Sequence, residues 1–205
     1  MPLSIFTRAL RALRATPSSD PAALRDFLAR QAAFVAQKTV VDYCRVKAGR
    51  GEQQTFANPD FQAALRHCRW QTYAGATQDM AALAEAWLRP HASGREAALA
   101  AALARMGAGL LAAPEAPPEE RESLGAAAAA LSLHLATLQA APPLPADRLP
   151  LRAEAPLLAT LPVHPDQRRG ETPAIRGALR FHVVSTQQEM ERAFDPAGLA
   201  AKLSA

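Results

Sequence analysis

Residues 21–48, PAALRDFLARQAAFVAQKTVVDYCRVKA, decide how the chain is read. Leu24, Phe27, Leu28, Phe34, Val35, Val41 and Val46 recur mostly three and four residues apart, the spacing of one helical face. Val40 and Cys44 fall on the opposite side, so the helix is apolar most of the way round, as buried helices are. The stretch therefore reads as a central helix around which the rest packs. Gln31, Lys38 and Asp42 break the apolar stripe from within.

Composition agrees with helix. Of the 205 residues, 49% are hydrophobic but only 5% aromatic. Alanine supplies much of the apolar content, and it loses no side-chain entropy in a helix. The chain is long enough for one good core. Its net charge of +4 is unevenly spread: eleven Lys and Arg face five Asp and Glu through Gly75, and the remainder is slightly acidic. A basic first third favours an acidic partner or an anionic surface. Cys44 and Cys68 form neither a CxxC pair nor a disulfide framework, which points to reduced, buried thiols in a cytoplasmic protein. No apolar run approaches the ~20 residues of a spanning helix.

Working outward, residues 1–19 read as a basic amphipathic arm, with Leu3, Phe6, Leu10 and Leu13 on one face and Arg8, Arg11 and Arg14 on another. A surface helix docked on the core, a contact with membrane or partner, and a transit peptide are its three readings, with docking preferred. Residues 20–141 read as a helical bundle. Ser19 or Asp20 before Pro21, and Asn58 before Pro59, are cap-plus-proline starts. Gly49-Arg50-Gly51 ends the first helix. The second carries Phe61, Leu65, Cys68 and Thr72 on one face and is expected to break at Gly75, with Thr77 capping a helix that presents Met80, Leu83, Ala84 and Trp87. Ser93 and Glu96 have capping-box spacing. Leu99, Leu103, Met106 and Leu110, then Leu124, Ala128, Leu131, Leu135 and Leu138, give two further stripes, separated by Pro114, Pro117 and Pro118. Residues 142–172 lose periodicity and are rich in proline, so an extended segment is expected. Residues 173–205 read as a C-terminal helical segment docking on the bundle, with Ile175, Leu179, Val183, Thr186 and Met190 on its buried face. Leu179 to Ser185 has strand-like composition, but no second strand offers to pair with it. The fold class is all-α: an irregular multi-helix bundle with a Pro-rich extended segment and a C-terminal helix.

Three constellations carry chemistry. Lys38 and Asp42 stand four apart and can meet on the helix surface; with Gln31 they suggest a polar pocket, or else a plain ion pair. Arg66, Arg69, Trp70 and Tyr73 interleave cations with aromatics on the side of their helix away from Phe61, Leu65 and Cys68. Binding surfaces exploit such a face, and its alternative is aromatic packing beneath solvated arginines. Cys44, His67 and Cys68 are ligand types without metal spacing, His134 sits among leucines, and no cofactor or metal is implied. No P-loop, GxGxxG, GxSxG or HExxH occurs, and the basic residues match no nucleic-acid recognition fold.

The expected function is that of an α-helical interaction or regulatory protein inside the cell, its basic first third engaging an acidic partner or surface, with a protein as the expected partner. The alternative is a small-molecule-binding helical protein or enzyme with its pocket at Gln31, Lys38 and Asp42. Attachment to an anionic membrane through the arm is compatible with both.

Overall fold

Proline after a capping carboxylate or amide starts the two longest helices. Asp20 accepts a hydrogen bond from the Ala22 N–H at 3.0 Å and opens α1, Pro21–Ala48. Gly49, at φ 52°, ends it in a conformation that favours glycine. After a short α2, Glu52–Ala57, Asn58 accepts from the N–H groups of Asp60 and Phe61 and opens α3, Pro59–Leu88. The remaining elements are α4 (Glu96–Leu111), α5 (Arg121–Gln139), α6 (Glu154–Thr160), α7 (Thr172–Ala193) and α8 (Pro196–Leu203). The computed structural model describes residues 16–112 and 116–205, and among these there is no β-strand. The fold is all-α. Most of the arm read in residues 1–19, with its membrane contact, and Pro114 lie outside the described residues.

The centre of the molecule is α3, not α1. Every residue from Ala74 to Ala86 is buried, and α3 packs against α1, α4, α5 and α6. Its interior half is Ala74, Gly75, Ala76, Ala81, Ala82, Ala84 and Ala86, with Met80 and Leu83 as the large members. Small side chains let neighbouring backbones approach from every side, yet they produce no apolar stripe. That is why the sequence pattern points to α1. In the structure α1 buries Leu24, Leu28, Ala32, Val35, Val40 and Cys44, while Phe34 (47% exposed) and Val46 (78%) face outward.

Gly75 does not interrupt α3. A Cβ there would lie 2.5 Å from Ala153 Cα and 2.6 Å from Ala153 N, so glycine is what allows the 152–153 peptide to lie on the helix. One turn on, the fully buried Asp79 accepts hydrogen bonds from the N–H groups of Arg152 (2.6 Å) and Ala153 (3.1 Å). Together they dock the Pro-rich segment, whose α-helical part is the seven-residue α6. Arg180 of α7 secures its first half by donating to the carbonyls of Ala146 and Leu149. Leu149, Ala153, Leu157 and Leu161 are buried as a result.

The capping box also differs. Glu96 accepts from the Gly94 N–H at 2.9 Å, and Arg95 is the N-cap residue of α4. Gly94 (φ 78°) turns the chain so that Ser93 sits too far back to serve. Residues 179–185 are helical within α7, whose buried face is Ile175, Leu179, Val183, Thr186 and Met190. Ser18 bridges to Phe194, exchanging hydrogen bonds with the Ala193 carbonyl and the Asp195 N–H, both 2.9 Å. This ties the start of α1 to the α7–α8 corner.

Candidate functional site

In the first half of α3 Leu65, Cys68 and Thr72 are buried, and another face of the helix carries Arg66, Arg69, Trp70 and Tyr73. Arg66 and Arg69 are exposed, whereas Trp70 and Tyr73 are partly buried and pack against the core. The two rings meet edge to face, centroids 5.7 Å apart at 86°. Opposite them α1 presents Ala33, Ala36 and Gln37, and the small residues leave a groove of about 340 Å³. The spacing 66, 69, 70, 73 puts all four side chains on one helical face, so they line a single concavity. Neither Arg66 nor Arg69 makes a hydrogen bond or ion pair among the described residues. Trp70 thus belongs to both sequence readings, one edge in the groove and the rest against the core.

The polar residues of α1 do not form one pocket. Gln31 donates to Glu189 Oε2 at 2.6 Å, and its Oε1 lies 3.2 Å from the Thr186 hydroxyl. Lys38 and Asp42 pair at 2.7 Å, but their side chains are 46% and 44% exposed, so the pair is a surface one. Both lie at the edge of a different concavity, about 500 Å³, between α1 and α7. At one end of it Glu171 accepts from Tyr43 Oη (2.7 Å) and Lys47 Nζ (2.8 Å). These bonds hold the Glu171 carboxyl below its usual range, while burial first and Glu171 second push the Tyr43 phenol well up. Within it, Thr39 is 3% exposed and its hydroxyl has no hydrogen-bond partner among the described residues. Thr77, Thr137 and Thr160 each donate to the carbonyl four residues back, and Thr39 does not. His182 is held below its usual range, mainly by burial.

Cys44 and Cys68 are buried at the α1–α3 contact. Burial pushes the Cys44 thiol up to about 12 and raises Cys68 as well, which makes both poor nucleophiles. His67 instead meets Glu120 Oε1 at 2.7 Å, and Gln71 donates to the other oxygen of this buried carboxylate. His134 is half-buried, its Nε2 unpartnered and its pKa lowered by burial. Among the described residues no group of three or more His, Cys, Asp or Glu is placed to hold a metal ion.

Several polar anchors escape sequence reasoning. Fully buried Glu85 accepts from Arg89 Nε and Nη2 (2.8 and 2.7 Å) and from Gln139 Nε2 (2.9 Å). Arg89 also donates to the Leu138 and Ala141 carbonyls, closing the end of α5. A Glu-Arg pair four apart ordinarily marks a solvated helix face. Only the neighbours of α3, distant in sequence, bury this one.

No family model matches the chain, and neither a curated protein nor a solved structure matches it at a significant level. What the geometry defines is an all-α protein with a cationic, aromatic groove on its central helix and a larger pocket on the far side of α1. No helix among the described residues is long and apolar enough to cross a membrane.

Proposed function

We propose that the chain is an interaction protein whose α1–α3 groove receives an apolar side chain from an acidic protein segment. The observation that supports this is the placement of Arg66 and Arg69, without partners among the described residues, beside a groove floored by Trp70 and Tyr73. Guanidinium groups in water are free to take carboxylates, while the aromatic pair offers a desolvated contact. Arg and Trp are the residue types on which binding energy most often concentrates. The excess positive charge of the first third supplies steering towards such a partner. A volume of about 340 Å³ suits one or two side chains, not a folded domain.

The test uses two fluorescent peptides, one of Glu and Asp around a central Trp and one with Gln and Asn in their place. The acidic peptide should bind and weaken as salt rises, because exposed charges are screened over ~10 Å at 0.1 M. Reversing both charges (R66E with R69E) should weaken it by tenfold or more, about 1.4 kcal/mol, with little change in melting temperature. Equal binding of the two peptides, or an unchanged affinity in the double reversal, refutes the proposal.

A further inference from the structure

We infer that the pocket between α1 and α7 binds a neutral small molecule, a ring bearing one hydroxyl or amide group. This is independent of the α1–α3 groove. Size is the first argument: about 500 Å³ lies within the range of small-molecule sites, roughly 300–1,000 Å³. The walls are the second. Val46, Ala174, Ile175 and Ala178 line it together with His182, and Phe34 and Phe181, outside the lining, each meet the His182 ring edge to face with centroids 5.5 and 5.6 Å apart. Phe34, Val46 and Phe181 are three of the exposed large apolar residues, at 47, 78 and 67%. An apolar patch gathered around a concavity marks a binding surface more often than scattered residues do. The His182 ring, which lines the concavity, offers an aromatic contact that favours a ring.

Charge selects a neutral ligand. The lining cations are already matched, Lys38 by Asp42 at 2.7 Å and Lys47 by Glu171 at 2.8 Å. An anion would have to displace a carboxylate, and a cation would have to displace a lysine. Burial and Lys38 favour the uncharged form of His182, against the opposing pull of Asp42. A neutral imidazole offers one donor and one acceptor. Neither of its ring nitrogens has a hydrogen-bond partner among the described residues.

Thr39 supplies the second polar group. Its hydroxyl does not donate to the carbonyl four residues back, as other helical threonines do, and it has no hydrogen-bond partner among the described residues. Thr39 lines the concavity while its oxygen has almost no exposed surface, so a χ1 rotation that brings the hydroxyl to the lined side is the movement a ligand must induce. A ligand hydroxyl or amide that meets it ends an unfavourable state of the protein, which a purely apolar ligand cannot do.

The experiment titrates the isotope-labelled full chain with toluene, phenol, benzamide, benzoate and benzylamine and follows amide shifts by NMR. Phenol and benzamide should give saturating shifts confined to the α1–α7 seam, with millimolar affinity expected for such small probes, and toluene should be about tenfold weaker. Thr39→Val, an isosteric change, should weaken phenol about tenfold and leave toluene unaffected. His182→Leu should act in the same direction, and a melting curve of each variant checks folding. The inference is overturned if benzoate or benzylamine binds best or if toluene matches phenol. It is equally overturned if no probe saturates, or if Thr39→Val and wild type bind phenol alike.

Discussion

Replacing Gly75 by alanine separates helix propensity from packing, because the two demand opposite signs. Propensity alone says that alanine in a helix interior is better than glycine by about 1 kcal/mol. At position 75 the new Cβ would stand 2.5 Å from Ala153 Cα, 2.6 Å from Ala153 N and 2.8 Å from the Arg152 carbonyl carbon. Carbon atoms in contact sit at ~3.5–4.0 Å, so the 152–153 peptide must retreat by about an ångström. These are backbone atoms and cannot turn aside as a side chain would. Overpacking of this kind costs ~1–3 kcal/mol. The retreat also stretches the bonds that Asp79 accepts from Arg152 and Ala153, now 2.6 and 3.1 Å. Losing one or both adds roughly 1–3 kcal/mol, since Asp79 is fully buried. After subtracting the propensity gain, Gly75→Ala should destabilise by about 1–5 kcal/mol and lower the melting temperature by ~2–20 °C. Gly109 and Gly177 are the controls. Each lies in a helix with no atom within 4 Å of a new Cβ, and alanine there should stabilise by ~0.5–1 kcal/mol. Urea unfolding followed by circular dichroism measures all three. A Gly75→Ala chain as stable as wild type would refute the docking account. So would strict additivity with Asp79→Ala, because both residues hold the same peptide.

Burial pushes Asp79 from 3.8 to about 7, so the native state keeps a proton that the unfolded chain has released. Its contribution to stability therefore falls as pH rises between about 4 and 7, and Asp79→Asn should remove that slope from the difference between the two urea midpoints. Glu85→Ala leaves Arg89, its side chain 11% exposed, without its carboxylate and should cost ~3–5 kcal/mol in urea unfolding, with Arg89→Met in the same chain recovering part of it. Asp42→Ala removes only an exposed partner of Lys38 and should cost less than ~1 kcal/mol in the same assay. Cys44 and Cys68 should resist alkylation at neutral pH in the native protein and react in denaturant; ready native labelling of either would contradict their burial.

Large apolar residues at helical spacing made most of the elements legible in the sequence. Ile175, Leu179, Val183, Thr186 and Met190 mark the buried face of α7 correctly, and Asp20-Pro21 and Asn58-Pro59 mark two starts. Which helix is central was not legible. Centrality in this protein comes from alanine and glycine at 74–86, and small residues give no periodic contrast whichever way a helix faces. The same blindness explains Gly75. Read locally, glycine is a breaker, and only Ala153, far along the chain, gives it a packing role.

The candidate sites divide along similar lines. Spacing of 66, 69, 70 and 73 fixes four side chains on one face, because they share a helix and the angle between them follows from its geometry. What spacing withholds is the opposite wall. The groove exists because α1 presents Ala33 and Ala36 there, and a leucine at either position would fill it. For Gln31, Lys38 and Asp42 the missing wall changed the reading itself. Their spacing permits one pocket, but α7 takes Gln31 with Glu189 and leaves Lys38 and Asp42 beside His182. Residues on one helix can therefore nominate a face, and whether that face is a groove, a core or a rim depends on the size of side chains that cross it from elsewhere. In this chain Ala33 and Ala36 leave the groove on one side of α1, and on the other Ala174 and Ala178 leave room beside the larger Ile175 and His182.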